Sequence, residues 1–317
     1  MEKTLSILFV VAFMIATVFG CFFWFEVETK QDINIENEDV EKIEEVEEIS
    51  DEALFTLEDY PKVDASLAIH PMAQKIAANF LKIDESELNF KYTEGRTSEV
   101  YRNLIDGNVD VIIAAEIPKE DEEYAKQKGV ELDIMPLTSS AFVFIVNKEN
   151  PISNLTFEEV QKIYTGEIIN WSEVGGPDEK IVAYQRPAGS GSQTAMLSLV
   201  MKDKTIANPP TIQIKQGMGQ LVDVIADYEN KNNAIGYSYF YYVNTMYKKE
   251  SIKMLSIDGV YPSIETIKNG TYPIYTNGFL VTRKNLSEDS NTKKWVDALL
   301  SKRGSKVIED AGYVPIN

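Results

Sequence analysis

From Phe55 onward, short apolar runs alternate with amphipathic stretches, and this alternation restricts the fold more than any other feature of the chain. Pro61–Ile69 (PKVDASLAI) reads as a strand and loop, and Pro71–Lys82 as a helix with proline in its first turn. Leu88–Gly95 reads as a strand and Thr97–Gly107 as a helix stopped by glycine. Asp110–Pro118 (DVIIAAEIP) is an apolar strand of the kind buried on both faces, and Asp121–Gly129 a charged surface helix. Leu132–Lys148 is expected to supply two strands. The style recurs through Leu155–Gly166, Lys180–Gly189, the helices at Thr194–Asp203 and Gln220–Asn230, and the strands at Ala234–Val243 and Tyr275–Arg283. A closing helix is expected over Thr292–Gly312. Such an order implies an α/β fold with mostly parallel sheets flanked by helices. At 317 residues, two lobes are the natural expectation.

The segment ahead of this pattern is of another kind. Leu5–Phe25 carries no charged residue and is about long enough to cross a bilayer as a helix. Lys3 precedes it and an acidic stretch follows, which places the bulk of the chain outside the cytoplasm. Cys21 is the only cysteine, so no disulfide forms within the chain. Val18-Phe19-Gly20-Cys21 resembles a bacterial lipobox, in which the cysteine is lipidated. Phe19 and the apolar run Phe22–Phe25 depart from it, so an uncleaved signal anchor is the alternative. Between Glu26 and Glu52, thirteen acidic residues face two lysines, a net −11 out of the chain's −19. A stretch so charged reads as a solvated, self-repelling spacer. The acidic balance argues against nucleic-acid binding, which needs basic surface, but a local pocket can differ in sign from the whole.

Ligands of open α/β sheets sit where strands lead into helix N-termini, which bind anions readily. Three loops have that character: Asp64–Ala68, Glu94–Ser98 and Arg186–Thr194. The third, RPAGSGSQT, exceeds what a helix cap needs. Gly189 and Gly191 allow close backbone approach, Ser190 and Ser192 offer hydroxyls, and Arg186 a permanent two-pronged charge. A nucleotide phosphate loop would need Gly-Lys-Ser/Thr, and no lysine follows these glycines.

Arg186-Pro-Ala-Gly189-Ser190-Gly191-Ser192 resembles the Arg-x-x-Gly-Ser-Gly-Thr/Ser signature of the phosphate-binding proteins of bacterial phosphate ABC importers. Asp64-Ala65-Ser66 stands where that family has Asp-Gly-Ser-Thr, and YTGEIINWSEVGG and AIGYSYFYY are similar blocks. The resemblance covers most of residues 60–317. It implies a two-lobed type II periplasmic-binding fold, with residues 1–25 as signal peptide or anchor and 26–57 as acidic linker. One lobe would comprise 58–139 plus 250–317 and the other 140–249. Arg186, Ser190, Gly191 and Ser192 would contact phosphate from one lobe, and Ser66, Leu67, Ala68 and Thr97 or Ser98 from the other. Leu67 replaces the usual threonine, leaving only its backbone N–H.

The family also places a carboxylate in the site, and Glu116 falls at that position, where aspartate is commoner. Such a group accepts the proton of phosphate and repels sulfate, which has none. The implied partners are inorganic phosphate and the permease subunits of an ABC importer, with the chain a monomer that needs no cofactor. A sensor, or a binder of another oxyanion, keeps the same fold. A hydrolase would need a base beside serine, and the only histidine, His70, has no evident triad.

Overall fold

The computed structural model describes residues 52–88, 96–227, 229 and 233–316. All lie within the second of the two units, Asp51–Asn317, into which the chain divides. Leu5–Phe25, Cys21 and most of the acidic spacer and the strand expected at Leu88–Gly95 lie outside the described residues. Among those described, no helix is long and apolar enough to cross a membrane.

The strands are β1 Val63–Ala65, β2 Val111–Ala114, β3 Leu132–Asn147, β4 Asn154–Leu155, β5 Val182–Ala183, β6 Ala234–Tyr239, β7 Ile252–Met254, β8 Ser256–Ile257, β9 Tyr275–Arg283 and β10 Val314–Pro315. One sheet runs in the order β1-β2-β9-β3-β6-β5, with β7 and β10 also paired to β3, and β4 and β8 form a separate pair. The α/β class stands, but the strand directions are more mixed than the element order implies. Among the described strands, only the pairs β1–β2, β5–β6 and β4–β8 are parallel. The rest of the large sheet is antiparallel because β3 and β9 are long and lie side by side.

Leu132–Lys148 yields one strand rather than two. β3 pairs with β9 from Leu132 to Ala141 and with β6 from Phe142 to Val146, so it changes partner without interruption. Pro136 lacks the N–H a ladder needs, and the register shifts between Pro136 and Thr138.

The helices are α1 His70–Leu81, α2 Thr97–Ile105, α3 Lys119–Lys128, α4 Phe157–Thr165, α5 Gly191–Ala195, α6 Met218–Ala226, α7 Ile264–Lys268, α8 Asn291–Leu300 and α9 Lys302–Asp310. α5 continues as a π-helical stretch, Met196–Met201. Their apolar stripes build separate cores. α1, α8 and α9 pack on β1, with Phe80, Trp295 and Tyr60 meeting edge to face. α2 and Ala125 of α3 pack on Ile112, Ala114 and Val281. The largest cluster gathers the second half of β3, β6, α4 and α6 around Phe142, Phe144, Tyr164 and Tyr237.

The closing helix divides in two. Ser301 ends α8 and caps α9, its hydroxyl accepting the Gly304 N–H at 3.4 Å. The corner is tight enough that a Cβ on Gly304 would overlap the Leu299 carbonyl, which is backbone and cannot step aside. We expect Gly304→Ala to lower stability by ~1–3 kcal/mol or more through overpacking. Urea denaturation followed by tryptophan fluorescence measures this, and an unchanged midpoint would show that the corner yields freely.

Candidate functional site

Arg186 follows the short strand β5 and is 7% exposed despite its charge. Its backbone N–H donates to the Tyr237 hydroxyl at 2.9 Å and to Gln193 Oε1 at 3.2 Å. The Tyr237 hydroxyl in turn donates to Gln193. At the other end, Nη2 donates to the Gln216 carbonyl at 2.9 Å. Nε and Nη1 are buried and have no hydrogen-bond partner among the described residues. Burial, with the nearby Arg96 charge adding to it, pulls the guanidinium pKa down to about 10. A desolvated cation with two idle donor groups is an expensive arrangement for a protein that does not bind an anion.

A cavity of about 90 Å³ opens beside it. From the Arg186 loop, Ser190, Gly191 and Ser192 line it. Ser190 is the N-cap of α5 and accepts the Gln193 N–H at 3.3 Å. The Ser192 hydroxyl is buried without a partner among the described residues. Gly189 adopts φ +74°, a left-handed conformation that turns the chain into the helix. Gly191 lies so close to Thr97 and Ala115 that a Cβ there would overlap the Thr97 hydroxyl and come within 2.9 Å of the Ala115 methyl.

Opposite stand Ser66, Leu67 and Ala68, the turn into α1, and Thr97 at the start of α2. Ser66 caps the 3-10 turn Leu67–Ile69 without using its side chain for a capping bond. Eight of the ten expected ligand-binding residues therefore share this cavity: Ser66, Leu67, Ala68, Thr97, Arg186, Ser190, Gly191 and Ser192.

Ser98 and Glu116 are not among the lining residues. Ser98 donates its N–H to the Gly189 carbonyl at 3.2 Å and so fastens the Arg186 loop from behind. Glu116 accepts a hydrogen bond from Ser198 at 2.5 Å and borders a different cavity with Glu120 and Gly189. β2 ends at Ala114, and the chain bends through Ala115 and Glu116. Ala115 packs toward Gly191, while the Glu116 carboxylate is held by Ser198. The structure thus does not bring Glu116 to the residues that line the Arg186 cavity.

Five lining residues were not foreseen: Arg96, Gln216, Gly217, Met218 and Tyr239. Arg96 belongs to the Glu94–Ser98 loop, and its Nη2 donates to Gln216 Oε1 at 2.5 Å. Gly217 caps α6, and a glycine before a helix was the available signal. Tyr239 is two residues beyond Tyr237 on β6, on the same face. Its hydroxyl is buried without a partner among the described residues. Burial, with Glu116 nearby, pushes its pKa well up, so it stays a protonated donor. The lining thus holds two guanidinium groups and several hydroxyls, with no carboxylate among the described residues. No group of three or more His, Cys, Asp or Glu side chains among them is placed to hold a metal ion.

The sequence pattern of a family described as the PBP superfamily domain matches residues 59–303. The chain belongs to that superfamily. It is similar to the phosphate-binding protein PstS of Borreliella burgdorferi, 28% identical over 259 residues, covering 80% of this chain and 89% of the relative. PstS of Bacillus subtilis is 25% identical over 255 residues, covering 80% of each. A putative phosphate ABC transporter substrate-binding protein from Clostridium perfringens, solved with bound phosphate, aligns at TM-score 0.62 and 25% identity, over 80% of this chain and 98% of that one.

Because Glu116 faces Ser198 and not the cavity, Glu116→Gln should leave the ratio of phosphate to sulfate affinity within about threefold of the unaltered protein, ~0.7 kcal/mol. Parallel titrations with the two anions measure it. A collapse of the ratio would return the carboxylate to the site.

Proposed function

We propose that the chain captures inorganic phosphate for delivery to the permease of an ABC importer. The observation that carries this reading is the buried Arg186, whose Nε and Nη1 are idle beside the unpartnered Ser192 and Tyr239 hydroxyls in one cavity. A tetrahedral oxyanion accepts several such bonds at once and relieves the desolvated charge. The names of the relatives, and the bound phosphate of the Clostridium perfringens neighbour, support phosphate as that anion.

Binding takes place between two lobes, roughly 58–139 with 250–317 and 140–249, and a hinge motion closes them. Hydrogen bonds from Ser98 to Gly189, Ser198 to Glu116 and Arg96 to Gln216 cross that proposed boundary and support a closed form. No reaction is involved. The Ser190 hydroxyl caps a helix, and the described lining contains no histidine or carboxylate to act as a base. The protein acts as a monomer on the extracytoplasmic face of the membrane, tethered through a lipidated Cys21 or through Leu5–Phe25 itself.

Calorimetric titration tests the central claim. Phosphate and arsenate should bind, and phosphate at a hundred times its Kd should raise the unfolding free energy by about 2.7 kcal/mol. Arg186→Ala should cost ~2–5 kcal/mol of phosphate binding, roughly thirtyfold to several thousandfold. Unimpaired binding by that variant would refute the site. For the tether, deletion of residues 1–25 should move the chain from the membrane to the soluble fraction. If Cys21→Ala has the same effect, the lipid is the anchor; retention of the deleted chain in the membrane would remove the tether from this segment.

A further inference from the structure

The anion cavity does not end at Ser66, Ala68 and Tyr239. The same three residues border a second chamber of about 30 Å³, closed by Ala115, Ser140 and Asn277 among others. That volume is on the order of one water's share of the liquid, enough for a substituent of one or two non-hydrogen atoms. Its wall is well fixed. The Tyr241 and Tyr313 rings stack at 3.8 Å, and the Tyr313 hydroxyl donates to the Ala68 carbonyl at 2.7 Å. Gly278 packs closely in that wall, since a Cβ there would meet the Thr138 hydroxyl at 2.5 Å.

Two polar atoms in this chamber are unused. Asn277 Oδ1 is sheltered from solvent without a partner among the described residues. So is the Tyr239 hydroxyl, which belongs to both chambers. Otherwise the exposed wall is largely carbon, from Ala68, Ile69, Ala115 and tyrosine rings, with Ser66, Thr138 and Ser140 also at its border. A fourth phosphate oxygen, charged or nearly so, is poorly served by such walls. A short carbon substituent ending in a hydrogen-bond donor suits them, with Asn277 Oδ1 as its acceptor.

We infer that the site also accepts monosubstituted phosphoryl ligands, R–PO₃, whose R group is one or two non-hydrogen atoms long. The three oxygens take the donors of Arg186, Ser192 and their neighbours, and R enters the chamber beside Asn277. This rests on the anion-binding reading above. Phosphonates and phosphate monoesters share the chemistry, so both kinds belong in the test.

Full-length protein is titrated with phosphate, methylphosphonate, hydroxymethylphosphonate, methyl phosphate and, as an oversize control, phenylphosphonate. Hydroxymethylphosphonate should bind within about tenfold of phosphate, ahead of methylphosphonate, and phenylphosphonate should fail. Methyl phosphate against methylphosphonate tells whether the bridging oxygen is tolerated. Ser140→Val, which narrows the chamber, should weaken the substituted ligands at least about tenfold while phosphate stays within about threefold. Asn277→Ala gives a second arm should Ser140→Val not fold, and it should erase the preference for the hydroxymethyl group. If phosphate binds while every substituted ligand is weaker by more than about a hundredfold, the chamber holds nothing larger than water and the inference fails alone. If phosphate itself does not bind, the proposed function falls with it.

Discussion

A guanidinium held out of water with two of its nitrogens idle is the constraint around which the rest of this molecule is arranged. The attraction of such a group to bulk water is large, and a loose loop would let it swing out. Here it cannot. The Arg186 backbone is gripped by Tyr237 and Gln193, and one end of its fork by the Gln216 carbonyl. Those partners come from β6, α5 and the segment before α6, so three separate elements must be in place before the charge is pinned. The fold bears an electrostatic cost at one point, and the aromatic cluster of Phe142, Phe144, Tyr164 and Tyr237 beneath it offsets that cost by burial.

Tyr237 and Tyr239 show how a strand divides labour. Both point to one face of β6, yet one hydroxyl is committed to holding Arg186 and Gln193 while the other is uncommitted in the cavity. The difference lies in the neighbours. Tyr237 sits over the apolar cluster with the Arg186 loop directly above its hydroxyl, whereas Tyr239 reaches the edge where Ser66 and Ala68 approach. The bulge in β3 belongs to the same design. A strand running unbroken past both β9 and β6 ties the elements that bring Ser66 to those that bring Arg186, and Thr138 and Ser140 of that strand reach the smaller chamber.

Much of this was legible from residue order alone. The RPAGSGS loop announced itself because an arginine beside small hydroxyl residues exceeds any capping need, and the βα alternation gave the fold class. Helix periodicity located α1, α2, α3 and the strand β9 nearly to the residue. What escaped did so for identifiable reasons. Strand direction depends on pairing across long separations, which local pattern does not encode, so β3 and β9 emerged antiparallel. The division of the C-terminal helix at Ser301 looked continuous because serine and glycine interrupt apolar periodicity only weakly. Glu116 lies just past β2 in a bend, where strand alternation no longer says which way a side chain projects. Gln216 carries no motif, and Tyr239 lies in the AIGYSYFYY block with no role attached to it there; the folded packing brings both to the cavity.

Glu116 stands outside the described cavity lining, which bears on how the cavity would tell one oxyanion from another. With Tyr239 kept protonated and two guanidinium groups at the walls, the described lining is positive and rich in donors. Such a lining favours the more highly charged form of an oxyanion, whereas a facing carboxylate would favour the form that keeps a proton. Hydroxyl groups can still accept a ligand proton, but as neutral acceptors they do so without the repulsion that would turn away a fully ionised rival. Discrimination then falls to shape and to how many donors remain unpaired when the wrong guest enters. Glu116 contributes at a distance: its bond to Ser198 joins the end of β2 to the π-helical stretch after α5. Burial, and with it the Glu116 charge, push the Tyr239 pKa up, so that hydroxyl remains a donor.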